Sequence, residues 1–166
     1  MTSLRKIQDK IVNWDDALIK VTDWKTQNNT VVFTNGCFDL MHIGHLDYLS
    51  KAKDLGSKLI IGLNSSASVS RLKGPTRPIN DNDSRGQILA AIEFVDLVVL
   101  FSEDTPLKLI NHLKPNILVK GGDYLKENIV GAKEVERNGG SVKIIKFVDG
   151  YSTTALVTKI QNLSKF

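Results

Sequence analysis

Residues 31–63, VVFTNGCFDLMHIGHLDYLSKAKDLGSKLIIGL, decide the fold of this chain. The stretch begins with the apolar run Val31–Phe33 and ends with a second run, Lys58–Leu63. Continuous apolar runs of this length are typical of strands that are buried on both faces. Between them, apolar residues recur at helical spacing from Leu46 to Leu55, and Gly56 marks the end of a helix. The pattern predicts a strand–helix–strand unit in which the two strands are parallel.

The same alternation continues toward the C-terminus. Further strands are predicted over Asp96–Phe101, Asn116–Val119 and Val142–Phe147. Further helices are predicted over Asp83–Phe94, Thr105–Leu113, Glu127–Asn138 and Thr154–Leu163. We therefore expect a Rossmann-like, doubly wound α/β fold, with a parallel five-stranded sheet and helices on both faces.

Residues 1–29 are predicted to form a helical appendage, and residues 30–166 the main domain. Asn13 is suited to cap a helix whose first turn carries Asp15 and Asp16. We expect this helix to pack on the core or on a second subunit. Its Trp14 and Trp24 are candidates for a contact in a homodimer or a higher homo-oligomer.

Composition excludes several classes of protein. Hydrophobic residues make up 42% of the 166 residues and charged residues 24%, which is ordinary for a globular protein. The formal charge of +4 fits an anionic substrate, but the lysines and arginines form no cluster, so nucleic acid is not expected as a partner. The apolar runs are too short to span a membrane, and the N-terminus lacks the apolar segment of a secretory signal. We expect a cytoplasmic protein without a membrane partner.

The loop after the first predicted strand carries the strongest chemical signal. In a sheet of this kind the ligand binds at the carboxyl ends of the strands. There the chain places His42 and His45, with Gly44 between them at the start of a helix whose free N–H groups can bind a phosphate. Positioned imidazoles can stabilise the charge that builds up during in-line attack on an α-phosphate, without a protein nucleophile.

Other interpretations of the histidine pair stay open from the residues alone. Two histidines at this spacing also occur as surface or capping residues. A metal site would need a third ligand, and the remaining candidate, His112, lies far along the chain. Cys37 is the single cysteine, so neither a disulfide nor a CxxC pair can form within the chain. We predict no metal bound by the protein, and we expect Cys37 to be a small apolar residue rather than a reactive thiol.

Two more groups of residues follow later strands. After the second strand come Asn64 and the cations Lys73, Arg77 and Arg85, in a stretch that we predict to be an irregular, mobile flap or simply a solvated loop. After the fourth and fifth strands come Lys120-Gly121-Gly122-Asp123 and Tyr151-Ser152-Thr153-Thr154. These segments can form a plain turn and a helix cap, or they can present N–H and hydroxyl groups to a nucleotide.

The segment Thr34-Asn35-Gly36-Cys37-Phe38-Asp39, followed by His42-Ile43-Gly44-His45, resembles the HxGH signature of the nucleotidyltransferase superfamily, in its cytidylyltransferase-like branch. Together with Arg71-Leu72-Lys73-Gly74, Phe101–Pro106, Val119–Tyr124 and Phe147–Thr154, it is similar to the D-glycero-β-D-manno-heptose 1-phosphate adenylyltransferases. These occur free-standing or as one half of a bifunctional heptose kinase/adenylyltransferase. The resemblance covers almost all of Val31–Leu163.

This resemblance implies that ATP and heptose 1-phosphate, with Mg²⁺, give ADP-heptose and pyrophosphate for lipopolysaccharide core or another surface glycan. It implies a catalytic role for His42, His45 and Lys73, and substrate binding by Asp39, Arg77 and Arg85. The implied nucleotide-binding residues are Thr34, Asn35, Gly36, Cys37, Phe38, Gly44, Asn64, Lys120, Gly122, Asp123, Tyr151, Ser152, Thr153 and Thr154.

Alternatives remain within and outside this class. A cytidylyltransferase for glycerol 3-phosphate or ethanolamine phosphate, or an FMN adenylyltransferase, would use the same signature. A regulatory module that binds a nucleotide without turnover would keep the fold but would not need the two histidines.

Overall fold

Six parallel strands form one sheet in the computed structural model, which describes residues 2–122, 125–148 and 150–163. The strands are β1 (Ile11–Val12), β2 (Val31–Gly36), β3 (Lys58–Asn64), β4 (Leu97–Phe101), β5 (Ile117–Gly121) and β6 (Ser141–Ile145). Their order across the sheet is β1-β4-β3-β2-β5-β6. Since β2 pairs with both β3 and β5, strand order reverses beside β2, which is where a doubly wound sheet binds its ligand.

Eight α-helices surround the sheet in the described residues. They are α1 (Ser3–Gln8), α2 (Trp14–Thr26), α3 (Ile43–Lys53), α4 (Ser66–Lys73), α5 (Asn82–Ala90), α6 (Leu107–Leu113), α7 (Ala132–Arg137) and α8 (Thr153–Leu163), with a short 3-10 helix at Lys126–Asn128. None of the described helices is both long and apolar enough to cross a membrane.

Neighbouring residues of each strand point into two separate cores, one on each face of the sheet. Val31 and Phe33 of β2 contribute to the core that α2, α6 and α7 cover. Val32, between them, contributes to the core that α3 and α5 cover. This alternation explains why the strands read as continuous apolar runs, and it confirms the predicted doubly wound α/β class.

The N-terminal segment is part of this architecture. Asn13 caps α2 as predicted, because its side chain accepts a hydrogen bond from the backbone N–H of Asp16 at 2.8 Å. Trp14 donates from its indole to the carbonyl of Leu100 at 2.9 Å, and Trp24 packs against the first core. Both tryptophans are thus engaged within the chain. The division at residue 29 and the oligomeric state stay predictions.

The structure corrects three predicted elements. The sheet has a sixth strand, because β1 pairs with β4 through Ile11 and Val12. The predicted irregular flap contains the helix α4, which the Ser65 side chain caps. The helix predicted over Glu127–Asn138 is interrupted: a 3-10 turn comes first, and α7 begins only at Ala132.

Candidate active site

A cavity of about 550 Å³ lies at the carboxyl ends of β2, β3 and β5. The predicted residues that line it are Asn35, Gly36, Cys37, Phe38, Asp39, His45, Asn64, Lys73, Lys120 and Thr153. They come from strand ends, loops and helix ends that are far apart in sequence. The cavity therefore lies where the reversal of strand order predicts a ligand site.

His42 and His45 are stacked beside this cavity. Their ring centroids are 3.8 Å apart, and the Phe38 ring meets His45 edge-on at 5.3 Å. His42 is the N-cap residue of α3, and His45 lies in its first turn, as predicted. The Nδ1 atoms of both rings are buried without a hydrogen-bond partner among the described residues.

Gly44 makes room for this arrangement. A β-carbon at position 44 would lie 3.1 Å from His42 Nδ1 and 3.2 Å from Tyr151 Cβ. Contacts this short would require the imidazole of His42 or the segment before α8 to shift by a few tenths of an ångström. The glycine in the signature therefore suits the close approach of this segment to the N-terminus of α3.

The surroundings favour the neutral form of both imidazoles. Burial lowers the pKa of His45 to about 4, and the charge of Lys73 and a proton on His42 act in the same direction. Burial also lowers the pKa of His42. A bound anion would oppose these effects, because it stabilises the protonated form of a nearby imidazole.

Asp39 fixes the loop that follows α4. Its carboxylate accepts hydrogen bonds from Arg77 Nε at 2.6 Å and from the backbone N–H groups of Ile79 at 2.8 Å and Asn80 at 3.0 Å. Burial opposes the ionisation of Asp39, but these hydrogen bonds lower its pKa overall. The Asp39 side chain is 1% exposed, so its contacts are with the loop that it holds and not with solvent.

Arg85 is a buried clamp between three segments. Its Nη1 donates to the carbonyls of Cys37 at 2.8 Å and Asn64 at 2.7 Å, and its Nε donates to the carbonyl of Asn80 at 3.1 Å. Only 1% of Arg85 is exposed. Substrate binding by Asp39 and Arg85 stays a prediction; in the structure both side chains hold the loops around the cavity.

The remaining predicted cations differ in their pairing. Arg77 is held by Asp39, and its Nη2 is buried without a partner in the described residues. Lys73, the last residue of α4, lines the cavity and is exposed. Lys120, at the end of β5, donates from Nζ to Asn35 Oδ1 at 2.7 Å.

Other predicted residues lie around the cavity or support it. Thr34 is buried and shares a hydrogen bond of 2.6 Å with the hydroxyl of Tyr48. Ser152 accepts a hydrogen bond from the N–H of Ala155 at 3.1 Å, so it caps α8. Tyr151 and Thr154 are exposed and Gly122 is half-buried, and none of the three lines the cavity. Asp123 lies outside the described residues.

Sequence reasoning missed several residues that line the cavity. These are Tyr48, Leu72, Asp104, Thr105, Pro106, Asn128, Ile129, Val130 and Phe147, whereas Gly121 belongs to a segment that was predicted to meet the nucleotide. Tyr48 follows His45 by three positions, so it lies on the same face of α3 and could have been predicted. Thr105 follows the carboxyl end of β4, which the same rule of parallel sheets would have picked out.

Burial keeps Cys37 in its protonated form. It is a free cysteine, half-buried at the edge of the cavity, and burial raises the pKa of its thiol. A thiol with a raised pKa carries less of the reactive thiolate. The surroundings of Cys37 therefore favour the apolar role over a reactive one.

A family model for cytidylyltransferase-like proteins matches residues 33–160. The chain belongs to the cytidylyltransferase-like family. That match includes the histidine pair, α4, the end of β5 and most of α8. The predicted membership of a nucleotidyltransferase family is confirmed.

Curated relatives share about half of their aligned residues with this chain. The "Bifunctional protein HldE" of Magnetococcus marinus is 53% identical over 152 residues, which are 92% of this chain and 31% of that protein. The protein of the same name from Trichlorobacter lovleyi is 58% identical over 136 residues, 82% of this chain and 28% of that protein. The chain thus spans about a third of the length of these relatives.

Two solved structures share the fold. The crystal structure of the lipopolysaccharide core biosynthesis protein from Thermoplasma volcanium GSS1 is 28% identical, with a TM-score of 0.60, and covers 75% of this chain and 99% of that one. A pantoate-beta-alanine ligase from Francisella tularensis has the same TM-score at 18% identity, over 94% of this chain and 79% of that one. The second likeness concerns the fold alone.

The Arg85 clamp leads to a prediction about stability. Replacement by methionine (Arg85→Met) leaves the carbonyls of Cys37 and Asn64 without this donor, so the free energy of unfolding should fall by about 2–4 kcal/mol. Arg5→Met is the matched control, since the exposed Arg5–Asp9 ion pair is worth at most about 1 kcal/mol. Urea unfolding measures both variants, and equal losses would contradict the clamp.

The surroundings of His45 lead to a second prediction. The chain has three histidines, so their ring protons can be followed separately by NMR during a pH titration. We expect His45 to titrate near pH 4 and to shift upward in Lys73→Met, which removes a neighbouring positive charge. Adding a nonhydrolysable ATP analogue should shift it upward as well. Titration of unliganded His45 near its ordinary pKa of 6.5 would refute the buried, neutral pair.

Proposed function

We propose that this chain transfers AMP from ATP to D-glycero-β-D-manno-heptose 1-phosphate, giving ADP-heptose and pyrophosphate. The observation that carries the proposal is the stacked pair of His42 and His45 beside a cavity at the carboxyl end of the central strand. The sugar rests on the sequence resemblance. It is supported by the relatives named HldE and by the similarity to a lipopolysaccharide core biosynthesis protein.

The reaction needs no nucleophile from the protein. A phosphate oxygen of the sugar 1-phosphate attacks the α-phosphorus of ATP, and the bond from that phosphorus to the bridging oxygen of the β-phosphate breaks. Pyrophosphate leaves with that oxygen and the electron pair. Charge on the α-phosphoryl oxygens must be stabilised while both substrates are held in line.

The histidine pair suits this task as donors. Their buried Nδ1 atoms lack partners among the described residues, so we assign the single proton of each neutral imidazole to Nε2. That tautomer leaves the Nε2–H of each ring as a donor. We assign these two N–H groups to the α-phosphoryl oxygens of ATP, where their hydrogen bonds strengthen as charge builds up.

Other residues of the cavity would hold the rest of the nucleotide. Lys73 is exposed at the cavity and is suited to the β- and γ-phosphates of ATP. Thr153, at the start of α8, lines the same space and can donate to the same phosphates. Asn35, Gly36 and Phe38 lie along the strand end between these groups. The predicted role of Asp123 in nucleotide binding stays a prediction.

Magnesium would enter this site as part of the substrate. The described residues contain no group of three histidine, cysteine or acidic side chains that could hold a metal ion. The two carboxylates that line the cavity, Asp39 and Asp104, are each paired with an arginine. We therefore propose that the substrate is the Mg²⁺ complex of ATP, in which the phosphates supply the ligands.

A screen for pyrophosphate release tests the reaction. Heptose 1-phosphate in both anomeric forms, glycerol 3-phosphate, ethanolamine phosphate and FMN are each combined with ATP and with CTP. We expect turnover with ATP and the β-anomer of heptose 1-phosphate. Release of pyrophosphate from CTP and glycerol 3-phosphate, and none from the expected pair, would favour the cytidylyltransferase alternative instead.

Replacement of the two histidines tests their role in the transition state. His42→Ala and His45→Ala should each lower kcat by about 10²–10³-fold, the usual cost of losing a donor to a developing oxyanion. His112→Ala is the matched control, because His112 lies on α6 beside Trp14 and does not line the cavity. Unchanged kcat in the His42 and His45 variants would refute this role of the histidines, whereas nucleotide binding without any turnover by the wild-type protein would favour the regulatory module.

A further inference from the structure

The charged side chains that line the cavity are unevenly paired. Its two carboxylates already have partners: Asp39 accepts from Arg77 at 2.6 Å, and Asp104 accepts from Arg71 at 2.8 Å. Its two lysines, Lys73 and Lys120, form no ion pair with a described residue. The cavity therefore presents two ammonium groups whose charge no carboxylate of the described chain balances.

These two ammonium groups come from opposite sides of the central strand. Lys73 ends α4, the helix that follows β3, whereas Lys120 lies in β5. β3 and β5 flank β2 on either side. The N-terminus of α3, which follows β2, therefore lies between the sides from which the two lysines reach the cavity. A reaction between two anionic substrates needs two separated cations, because the two phosphates repel each other when they are brought close together.

Lys120 is held in place by Asn35. Its Nζ donates to Asn35 Oδ1 at 2.7 Å across the boundary between β5 and β2. An ammonium group has three donors, and this hydrogen bond uses one of them. The other two have no partner among the described residues. Burial lowers the pKa of Lys120, so the charged form is costly there until an anion approaches.

We propose that Lys120, positioned by Asn35, binds the phosphate of the acceptor substrate, whereas Lys73 binds the triphosphate of ATP. The inference rests on the proposed function and deepens it. It assigns Lys120 to the second substrate instead of the nucleotide. Neutralising the acceptor phosphate would reduce its repulsion from the α-phosphate while its free oxygen attacks.

The test is a comparison of substrate constants in matched lysine variants. Lys120→Met should raise the KM for heptose 1-phosphate about 10- to 100-fold and leave the KM for ATP within about threefold, since it removes a charged hydrogen bond to one substrate. Lys73→Met should show the reverse pattern. Lys143→Met is the control, because Lys143 lies exposed on β6 and does not line the cavity.

Two further variants separate binding from a structural role. Lys120→Arg keeps the charge and should recover most of the affinity for the acceptor. Lys120→Gln keeps a donor for Asn35 without the charge, so it should raise the KM for the acceptor as expected for Lys120→Met. It replaces the methionine variant in the comparison if that variant unfolds. Calorimetric binding of heptose 1-phosphate, with a nonhydrolysable ATP analogue present, gives the same comparison without turnover.

The outcomes distinguish this inference from the proposed function. A rise in the KM for ATP as large as that for the acceptor, or no rise in either, would overturn the assignment of Lys120 while the reaction stands. If the screen identifies another phosphorylated acceptor, the sugar is wrong, and the Lys120 variants are compared on that acceptor. Failure of the wild-type protein to bind any phosphorylated acceptor would overturn both.

Discussion

The guanidinium of Arg85 holds together the segments on which the site depends. It donates to carbonyls of Cys37 and Asn64, which lie just after β2 and at the end of β3, and to the carbonyl of Asn80 in the loop before α5. Carbonyl groups at the carboxyl ends of parallel strands need donors where the ladder stops. A buried arginine supplies several at once with fixed geometry. The ends of two neighbouring strands are thereby locked at the place where the histidine loop begins.

The charges around the cavity follow from this arrangement. Loop and strand ends that converge on one site bring many polar groups together. The main charged ones form hydrogen bonds and ion pairs that hold the loops in place. Asp39 is paired with Arg77 and accepts hydrogen bonds from two backbone N–H groups, and Arg85 donates to backbone carbonyls. Among the ionisable groups without an ion-pair partner in the described residues, the cavity keeps the imidazole of His45, which is stacked on His42, and the ammonium groups of Lys73 and Lys120. These unpaired positive charges favour an anionic ligand more directly than the net charge of the whole chain does.

The sequence predicts local features of this molecule better than contacts between distant segments. The strand ends, the cap at Asn13 and the position of the histidines at the start of α3 follow from short-range patterns. The strand β1 has two residues, and it exists because Val98 and Val99 of β4 offer it a partner. The helix α4 is rich in serine, so its composition indicates a loop; its cap at Ser65 was the available signal. The hydrogen bond between Lys120 and Asn35 joins residues 85 positions apart, and no local pattern indicates it.

Arg85 shows why a charged residue near a predicted site is hard to interpret. Arginine is rarely buried without partners, so a sequence pattern places it at the surface or at a ligand. Here it has buried partners, but they are backbone carbonyls, which every sequence possesses and which carry no sequence signal. The same limit applies in reverse to Lys73 and Lys120, whose proposed roles rest on the absence of a carboxylate partner among the described residues. Under our proposal, the cavity lysines that lack a carboxylate partner among the described residues mark the ligand positions, and only the three-dimensional pairing shows which cations those are.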